Sequence, residues 1–119
     1  AILAAIAIPS YSQYVQKTRR TDGQEKLLDM AAQQERWFFS NNQYAKQAAI
    51  DSVGGANSAD EHYTVAITTT GEPPTTYTLV ATAVGSQAYD TSCATLTLTN
   101  TGLKGATPSS NANLCWQTK

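Results

Sequence analysis

The first eight residues, Ala1 to Ile8, are all apolar and constrain the fold more than any other part of the chain. A helix of eight residues is too short to cross a bilayer, which needs about 20. A secretory signal core is the alternative, but such a core ends at a small-residue cleavage site, and here the helical pattern continues. We therefore expect this run to be the end of a longer hydrophobic segment that begins before Ala1.

A proline borders the apolar run and divides the predicted helix. Pro9 has no N–H to donate and its ring clashes with the carbonyl four residues earlier, so we expect a kink or a locally melted turn at this point. The helix resumes at Ser10 and extends to about Ser40. Asn41 and Asn42 are suitable terminators, because asparagine tolerates the left-handed conformation.

The predicted helix has an apolar stripe on one face and a polar middle. Residues 16–26 are polar on all sides, and Gly23 weakens the helix there by roughly 1 kcal/mol relative to alanine. We therefore expect an apolar start and a half-buried end, of which the end packs on a domain. The stripe residues recur at spacings of three, four and seven: Tyr11, Tyr14, Val15, Leu27, Leu28, Ala31 and Phe38.

After an irregular connection over residues 43–61, the sequence predicts three β-strands. Tyr44 and Ile50 are the expected anchors of the connection. A long helix followed by short strands predicts the α+β class, with an antiparallel sheet packed on the helix. The strands are expected where apolar residues alternate with threonine and other small residues: His62 to Thr70, Tyr77 to Val84 and Ala94 to Thr99.

The composition and the motifs argue against an enzyme. Eight Lys and Arg are offset by nine Asp and Glu, which gives a formal net charge of −1 and no general attraction to nucleic acid or anionic lipid. His62 is the single histidine, and no second histidine or free cysteine stands at metal-ligand spacing, so a surface histidine is favoured. The sequence has no G-x-S-x-G element and no glycine-rich phosphate loop. We predict no catalytic residue, no metal and no cofactor.

Two further groups of residues have both a functional and a structural interpretation. Arg19 and Arg20 could bind DNA phosphates or a partner carboxylate. With Asp22 and Glu25 adjacent, a solvated helix face with local ion pairs is favoured. The aromatic residues of the helix could form a stacking path, but core and interface packing is their usual role. The structural interpretation is therefore preferred for both groups.

The two cysteines, Cys93 and Cys115, flank the last large loop. Both lie in polar surroundings rich in Gly, Asn and Ser, whereas buried thiols would be expected among apolar neighbours. A disulfide is favoured, and two free thiols in a cytosolic protein are the alternative. A bridge across this loop would contribute about 3 kcal/mol on the chain-entropy model and would indicate an oxidising compartment.

The start of the helix resembles the second half of the class III signal and transmembrane helix of type IV pilins, in the stretch ILAAIAIPSYSQYV from Ile2 to Val15. In that family an apolar run meets a proline and then a tyrosine-bearing amphipathic stretch. The segment RRTDGQEKLLDMAAQQERWFFSNNQYA, residues 19–45, resembles minor pilins of the PilE type. So does the tail, with CATLTLTNTGLKG from Cys93 and the closing CW at Cys115. The resemblance covers essentially the whole chain.

This resemblance implies the pilin fold, in which a long N-terminal α-helix packs its second half on a four-stranded antiparallel sheet. The fourth strand would be short or lie near the tail. The loop from Cys93 to Cys115 would be bounded by a disulfide. Residues 1–9 would then end the transmembrane and assembly segment, residues 10–41 complete the helix, and residues 42–119 form one globular domain with the helix end.

The resemblance also implies a cellular route and partners. The subunit would be cut by a prepilin peptidase, held in the bacterial inner membrane by a single span with a periplasmic head, and then moved into an extracellular pilus. Its partners would be other pilin subunits and, before assembly, the membrane. The family's cleavage site and acidic residue would precede Ala1. The helix residues expected to carry assembly are Ile2, Leu3, Ile6, Ile8, Pro9, Tyr11 and Tyr14.

The functional interpretation is therefore a structural subunit of a type IV pilus, a minor pilin that acts in assembly or priming and so in adhesion, twitching motility or DNA uptake. A type II secretion pseudopilin is one alternative, because it shares the helix; the paired cysteines favour a pilin, since pseudopilins more often stabilise that region with calcium. A DNA-binding competence pilin is the other alternative. DNA or a surface ligand would then be a further partner.

Overall fold

The chain folds as a long helix that carries a small sheet, in a computed structural model that describes residues 2–108 and 112–116, with side chains from Gln13 onward. Two short 3₁₀ helices, Gln47–Val53 and Gly85–Tyr89, lie in the connections. The remaining elements follow in chain order: α1 Ile2–Asn41, β1 Tyr63–Thr70, β2 Thr76–Ala83, β3 Cys93–Thr99, β4 Lys104–Pro108 and α2 Ala112–Trp116.

The four strands form an antiparallel meander in the order β1-β2-β3-β4. Ile67 of β1 lies opposite Leu79 of β2, which lies opposite Leu98 of β3, so one apolar row crosses three strands. Buried residues alternate with more exposed ones along β1 and β2, as the sequence predicts for strands with one wet face. The predicted α+β class, a long helix on an antiparallel sheet, is confirmed.

The fourth strand, β4, is the one that alternation did not reveal. It is five residues long and pairs with β3, where Leu96 lies opposite Ala106. Gly105 and Pro108 lie within it, and both residue types are poor strand formers except at a sheet edge. Its position before the tail confirms the short fourth strand that the resemblance to pilins implied.

Helix α1 packs its second half across the sheet, with Leu27 and Met30 fully buried. Gly23 allows a close approach to β1, because a Cβ at this position would lie 2.9 Å from the ring of Tyr63. The glycine that weakens the helix in isolation therefore permits its contact with the sheet. Leu28, one residue after Leu27, is half exposed, so the apolar stripe is narrower than the sequence predicted.

The two expectations about the ends of α1 have different outcomes. Asn42 follows the last helical residue with a φ of 58°, which confirms asparagine as the terminator. At the other end the helix runs from Ile2 through Pro9 without interruption, so the locally melted turn expected there is wrong. A proline removes its own N–H bond, and the hydrogen bonds on either side can keep the backbone helical.

Two predicted anchors, Tyr44 and Ile50, hold the connection between α1 and β1, since both are buried. The ring of Tyr44 packs against Phe38 and against Tyr77, with centroids 4.7 Å apart in each pair. Aromatic pairs of this kind contribute about 1 kcal/mol beyond the area that they bury. They connect the end of the helix to β2.

Candidate functional site

Helix α1 is longer than the body that it carries. At 1.5 Å per residue its 40 residues measure about 60 Å, close to the longest dimension of the molecule, 61 Å; the other dimensions are 24 and 19 Å. Among the residues with described side chains, the first hydrogen bond between α1 and the sheet-bearing body is accepted by the Gln16 carbonyl. Residues 2–15 are therefore termed the stem, and the rest of the described chain is termed the head.

A buried polar cluster joins the helix to the loop before β3; it consists of Gln16, Arg20, Tyr63, Gln87 and Asp90 and is termed the basal cluster. Arg20 donates to Asp90 twice, from Nε to Oδ2 at 2.6 Å and from Nη2 to Oδ1 at 2.8 Å. The side-chain amide of Gln87 donates to the Gln16 carbonyl at 2.9 Å and to the Tyr63 hydroxyl at 3.1 Å. The cluster therefore fixes the loop against the helix where the stem begins.

The basal cluster corrects the expectation for Arg20. The sequence favoured a solvated face with ion pairs to acidic neighbours on the helix, but Arg20 is 8% exposed and its partner Asp90 lies 70 residues later in the chain. Burying a guanidinium without a counter-charge costs several kcal/mol, which is why a distant carboxylate accompanies it. Arg19 donates to the Ser86 hydroxyl at 2.8 Å, on the exposed side of the same loop.

The same contacts shift two pKa values. The hydrogen bonds from Arg20 to Asp90 raise the pKa of the guanidinium, and burial partly opposes this rise. Burial raises the pKa of Tyr63 to about 12, because a phenolate is disfavoured away from water. Arg20 therefore stays charged and Tyr63 stays neutral over the physiological range. The guanidinium of Arg20 is therefore a fixed positive charge within the cluster.

A second polar contact lies further along the helix, at Asp22. Its carboxylate accepts hydrogen bonds from the Ser58 hydroxyl and from the backbone N–H groups of Asp60 at 3.1 Å and His62 at 3.2 Å. Asp22 is 8% exposed, so this acidic neighbour of Arg19 and Arg20 is buried and does not lie on the solvated face that the sequence favoured. Three donors replace the water that the buried carboxylate loses.

The predicted disulfide between Cys93 and Cys115 is present, with the sulfur atoms 2.05 Å apart, so the alternative of two free thiols is wrong. The bridge fastens α2 to the start of β3. Gln24 of α1 donates to the Cys115 carbonyl at 2.8 Å, and the indole N–H of Trp116 donates to the Gly105 carbonyl at 2.8 Å. The tail is therefore held between α1 and β4.

A half-open cleft of about 410 Å³, termed the basal cleft, lies where the helix leaves the head. Gln13 and Lys17 line it from the helix, and Tyr89 and Leu114 line it from the loop and the tail. Tyr89 is 78% exposed, and Tyr14, beside Gln13 on the stem, is 67% exposed. Two exposed tyrosines therefore lie near the point at which the stem emerges.

The residues predicted to carry assembly fall mostly outside the described side chains. Tyr14 is the member of the set that is described. The described residues 2–108 and 112–116 contain no helix that is long and apolar enough to cross a bilayer. Over the same ranges, no group of His, Cys, Asp and Glu side chains is placed to hold a metal ion. Of the residues predicted to carry assembly, those whose side chains lie outside the described part are Ile2, Leu3, Ile6, Ile8, Pro9 and Tyr11.

Sequence reasoning missed three residues that hold the helix on the head: Gln24, Gln87 and Asp90. They lie in a polar helix segment and in a loop, and polar residues in such segments are usually solvated. One signal could have found them. Gly23 in the middle of a long helix indicates close packing there, and close packing requires partners for the polar residues beside it.

Comparisons with known proteins agree with the fold and the motifs. A family model described as "Type IV minor pilin ComP, DNA uptake sequence receptor" matches residues 9–97, well over half of the chain. A solved type IV pilin from Shewanella oneidensis is 28% identical, with a TM-score of 0.59, over 82% of this chain and 96% of that chain. No curated protein sequence matches the chain. The chain belongs to the type IV minor pilin family.

Proposed function

We propose that the subunit enters a type IV pilus through its stem, which packs among the helices of other subunits while the head stays outside. The observation that supports this function is the length of α1 beyond the head: residues 2–15 of a 40-residue helix precede its first described hydrogen bond with the head. In a helix that extends past its own domain, the side chains are available for contact with lipid or with other helices.

The stem sequence suits this exchange of neighbours. Residues 1–8 are Ala, Ile and Leu alone, and small and branched side chains let helices approach closely in lipid or in a filament core. The same surface can replace lipid contacts by subunit contacts with little change in hydration. The subunit therefore waits in the inner membrane with a periplasmic head and leaves the bilayer when it is assembled.

Pro9 gives the stem a place to unwind during extraction from the bilayer, although α1 is continuous through it in the isolated subunit. Because proline lacks an N–H, one hydrogen bond fewer must break there. In a Pro9→Leu variant the head should stay folded by circular dichroism, while the number or length of pili should change. Normal piliation in this variant would count against the role of Pro9.

Immunogold labelling of sheared filaments tests the function directly. Sparse or tip-only labelling is expected of a minor subunit that primes or joins the pilus. A Leu3→Arg variant should lose the labelling, because a charge in lipid or in a helix bundle is costly. The proposal fails if the protein stays with the cell membrane and filaments carry no label. Twitching and adhesion assays on a deletion strain that still forms pili would show which pilus activity needs the subunit.

A second candidate function is DNA binding by the head. The matching family is described as a receptor for DNA uptake sequences, which favours this candidate. The accessible cations of the described part are dispersed: Lys17 and Arg19 lie at the base, Lys26 and Arg36 further along α1, Lys46 in the connection and Lys104 on β4. A gel shift with duplex DNA should weaken steeply with salt and in an Arg36→Gln, Lys104→Gln variant, because phosphate contacts release counterions. Absence of a shift at low salt would eliminate this candidate.

A further inference from the structure

We propose that the base of the head is a membrane-contact surface, which rests on the phospholipid headgroups of the periplasmic leaflet before the subunit is assembled. Its head residues are Lys17, Arg19 and Tyr89, at the end where the helix emerges, and Tyr14 of the stem borders them along the helix. The inference rests on the proposed function, because it takes the stem to be inserted in the inner membrane. It adds a second contact with the bilayer, made by the head itself.

Distances along the helix place the near edge of this surface, at Tyr14, beside the layer of the headgroups. Ile8 ends the apolar run, and Tyr14 follows six residues later, about 9 Å further along the axis. The polar layer on each side of a bilayer is about 5–8 Å thick. Helical side chains lean towards the N-terminus, so the ring of Tyr14 reaches this layer when Ile8 lies at the edge of the hydrocarbon.

The loop that carries Tyr89 is held at the same level. Gln87 and Asp90, which flank Tyr89 in sequence, are buried in the basal cluster and fix the loop against the first helical turns of the head. Tyr89 itself points away from this anchor and lines the basal cleft with a ring that is 78% exposed. Packing within the head therefore does not account for an aromatic residue at this position.

The charge at the base complements phosphate groups. Lys17 and Arg19 are its cations, whereas Asp90, the one carboxylate among the residues that line the basal cleft, is buried against Arg20. The described charged side chains that reach solvent at the base are therefore positive, although the chain as a whole has a net charge of −1. Tyrosine is enriched at membrane–water interfaces, where Tyr, Lys and Arg side chains act as anchors.

Photo-crosslinking in the membrane-inserted full chain tests the surface. The photoreactive residue p-benzoylphenylalanine replaces Tyr89 in one variant and Phe39 in the matched control. Phe39 is 90% exposed and lies near the far end of α1, so it reports on an aromatic position remote from the bilayer. Insertion is verified by resistance to carbonate extraction. We expect several-fold more phospholipid adduct at position 89 than at position 39, and less adduct at position 89 when Lys17→Glu is added.

The outcomes separate the two proposals. If the subunit resists carbonate but position 89 forms no more phospholipid adduct than position 39, the membrane-contact surface is refuted while the proposed function stands. An adduct at position 89 to a second pilin subunit, without lipid, refutes it in the same way. If carbonate extracts the full-length protein and filaments carry no label, the proposed function fails first.

Discussion

Replacing Asp90 by asparagine tests whether the basal cluster holds the helix on the head. The variant keeps the size of the side chain but leaves the guanidinium of Arg20 buried without a counter-charge. The two side chains are 10% and 2% exposed, for Arg20 and Asp90 respectively. Removal of one partner of such a buried pair costs about 3–5 kcal/mol, because the remaining charge has lost its water and gained nothing in return.

We expect the lower end of that range, about 3 kcal/mol, because Arg20 lines the half-open basal cleft and water can reach the guanidinium from there. One kcal/mol shifts Tm by about 4–8 °C in a domain of 60–100 residues, so Tm should fall by about 12 °C or more. The pair between Lys46 and Glu72 is the matched control, with side chains 50% and 78% exposed. Glu72→Gln should cost less than about 1 kcal/mol.

Urea unfolding of the chain in non-ionic detergent, followed by circular dichroism, measures these variants, since urea does not screen charge. A double variant, Arg20→Met with Asp90→Leu, should recover much of the lost stability because it removes both charges from the interior. If Asp90→Asn lowers the free energy of unfolding no more than Glu72→Gln does, the ion pair between Arg20 and Asp90 is hydrated in solution. The argument that the basal cluster holds the stem to the head is then refuted.

Three other predictions follow from the packing of the head. Gly23→Ala should destabilise it by about 1–3 kcal/mol in urea, since the new methyl meets Tyr63 at 2.9 Å and outweighs the gain in helix propensity. Cys93→Ser with Cys115→Ser should lower the free energy of unfolding by about 3 kcal/mol, because the bridge closes a loop between residues 22 apart. Burial raises the pKa of Tyr63 to about 12. The contribution of Tyr63 to stability should be complete below about pH 10, the pKa of an unfolded tyrosine, and should be lost as the pH rises towards 12. The Tyr63→Phe variant should show a smaller decline of Tm over this pH range in thermal melts.

The strands were predictable because their information is local. Along β1, Tyr63, Val65 and Ile67 are buried between exposed neighbours, so alternation within eight residues marks the strand and its inner face. The edge strand β4 carries no such pattern, because Gly105 and Pro108 interrupt it and, among residues 2–108 and 112–116, no strand pairs with its outer side. The strand β4 is defined by its pairing with β3. Such pairing depends on residues outside the strand and is not visible in its own sequence.

The polar face of the helix was not predictable for the same reason. Arg20, Asp22 and Gln24 are buried, and each finds its partner in a different segment, at sequence separations of 70, 36 and 91 residues. None of these partners lies within the sequence of the helix. Polar residues in the helix are therefore predicted to be exposed. The loops reach the helix only in the folded chain. Their hydrogen bonds then offset the free energy that burial of the polar side chains costs.

Polar contacts set the register of α1 on the sheet, which explains why so many polar residues face inward. Leu27 and Met30 are fully buried, but apolar burial is non-directional and would tolerate a helix displaced along its axis. Gln34 exchanges two hydrogen bonds with the backbone of Ala45, donating at 3.0 Å and accepting at 2.8 Å. A shift of one turn, about 5.4 Å, would break these bonds and those of Asp22 together. Each buried group left without a partner would cost about 1–3 kcal/mol, so these hydrogen bonds oppose sliding of the helix along its axis.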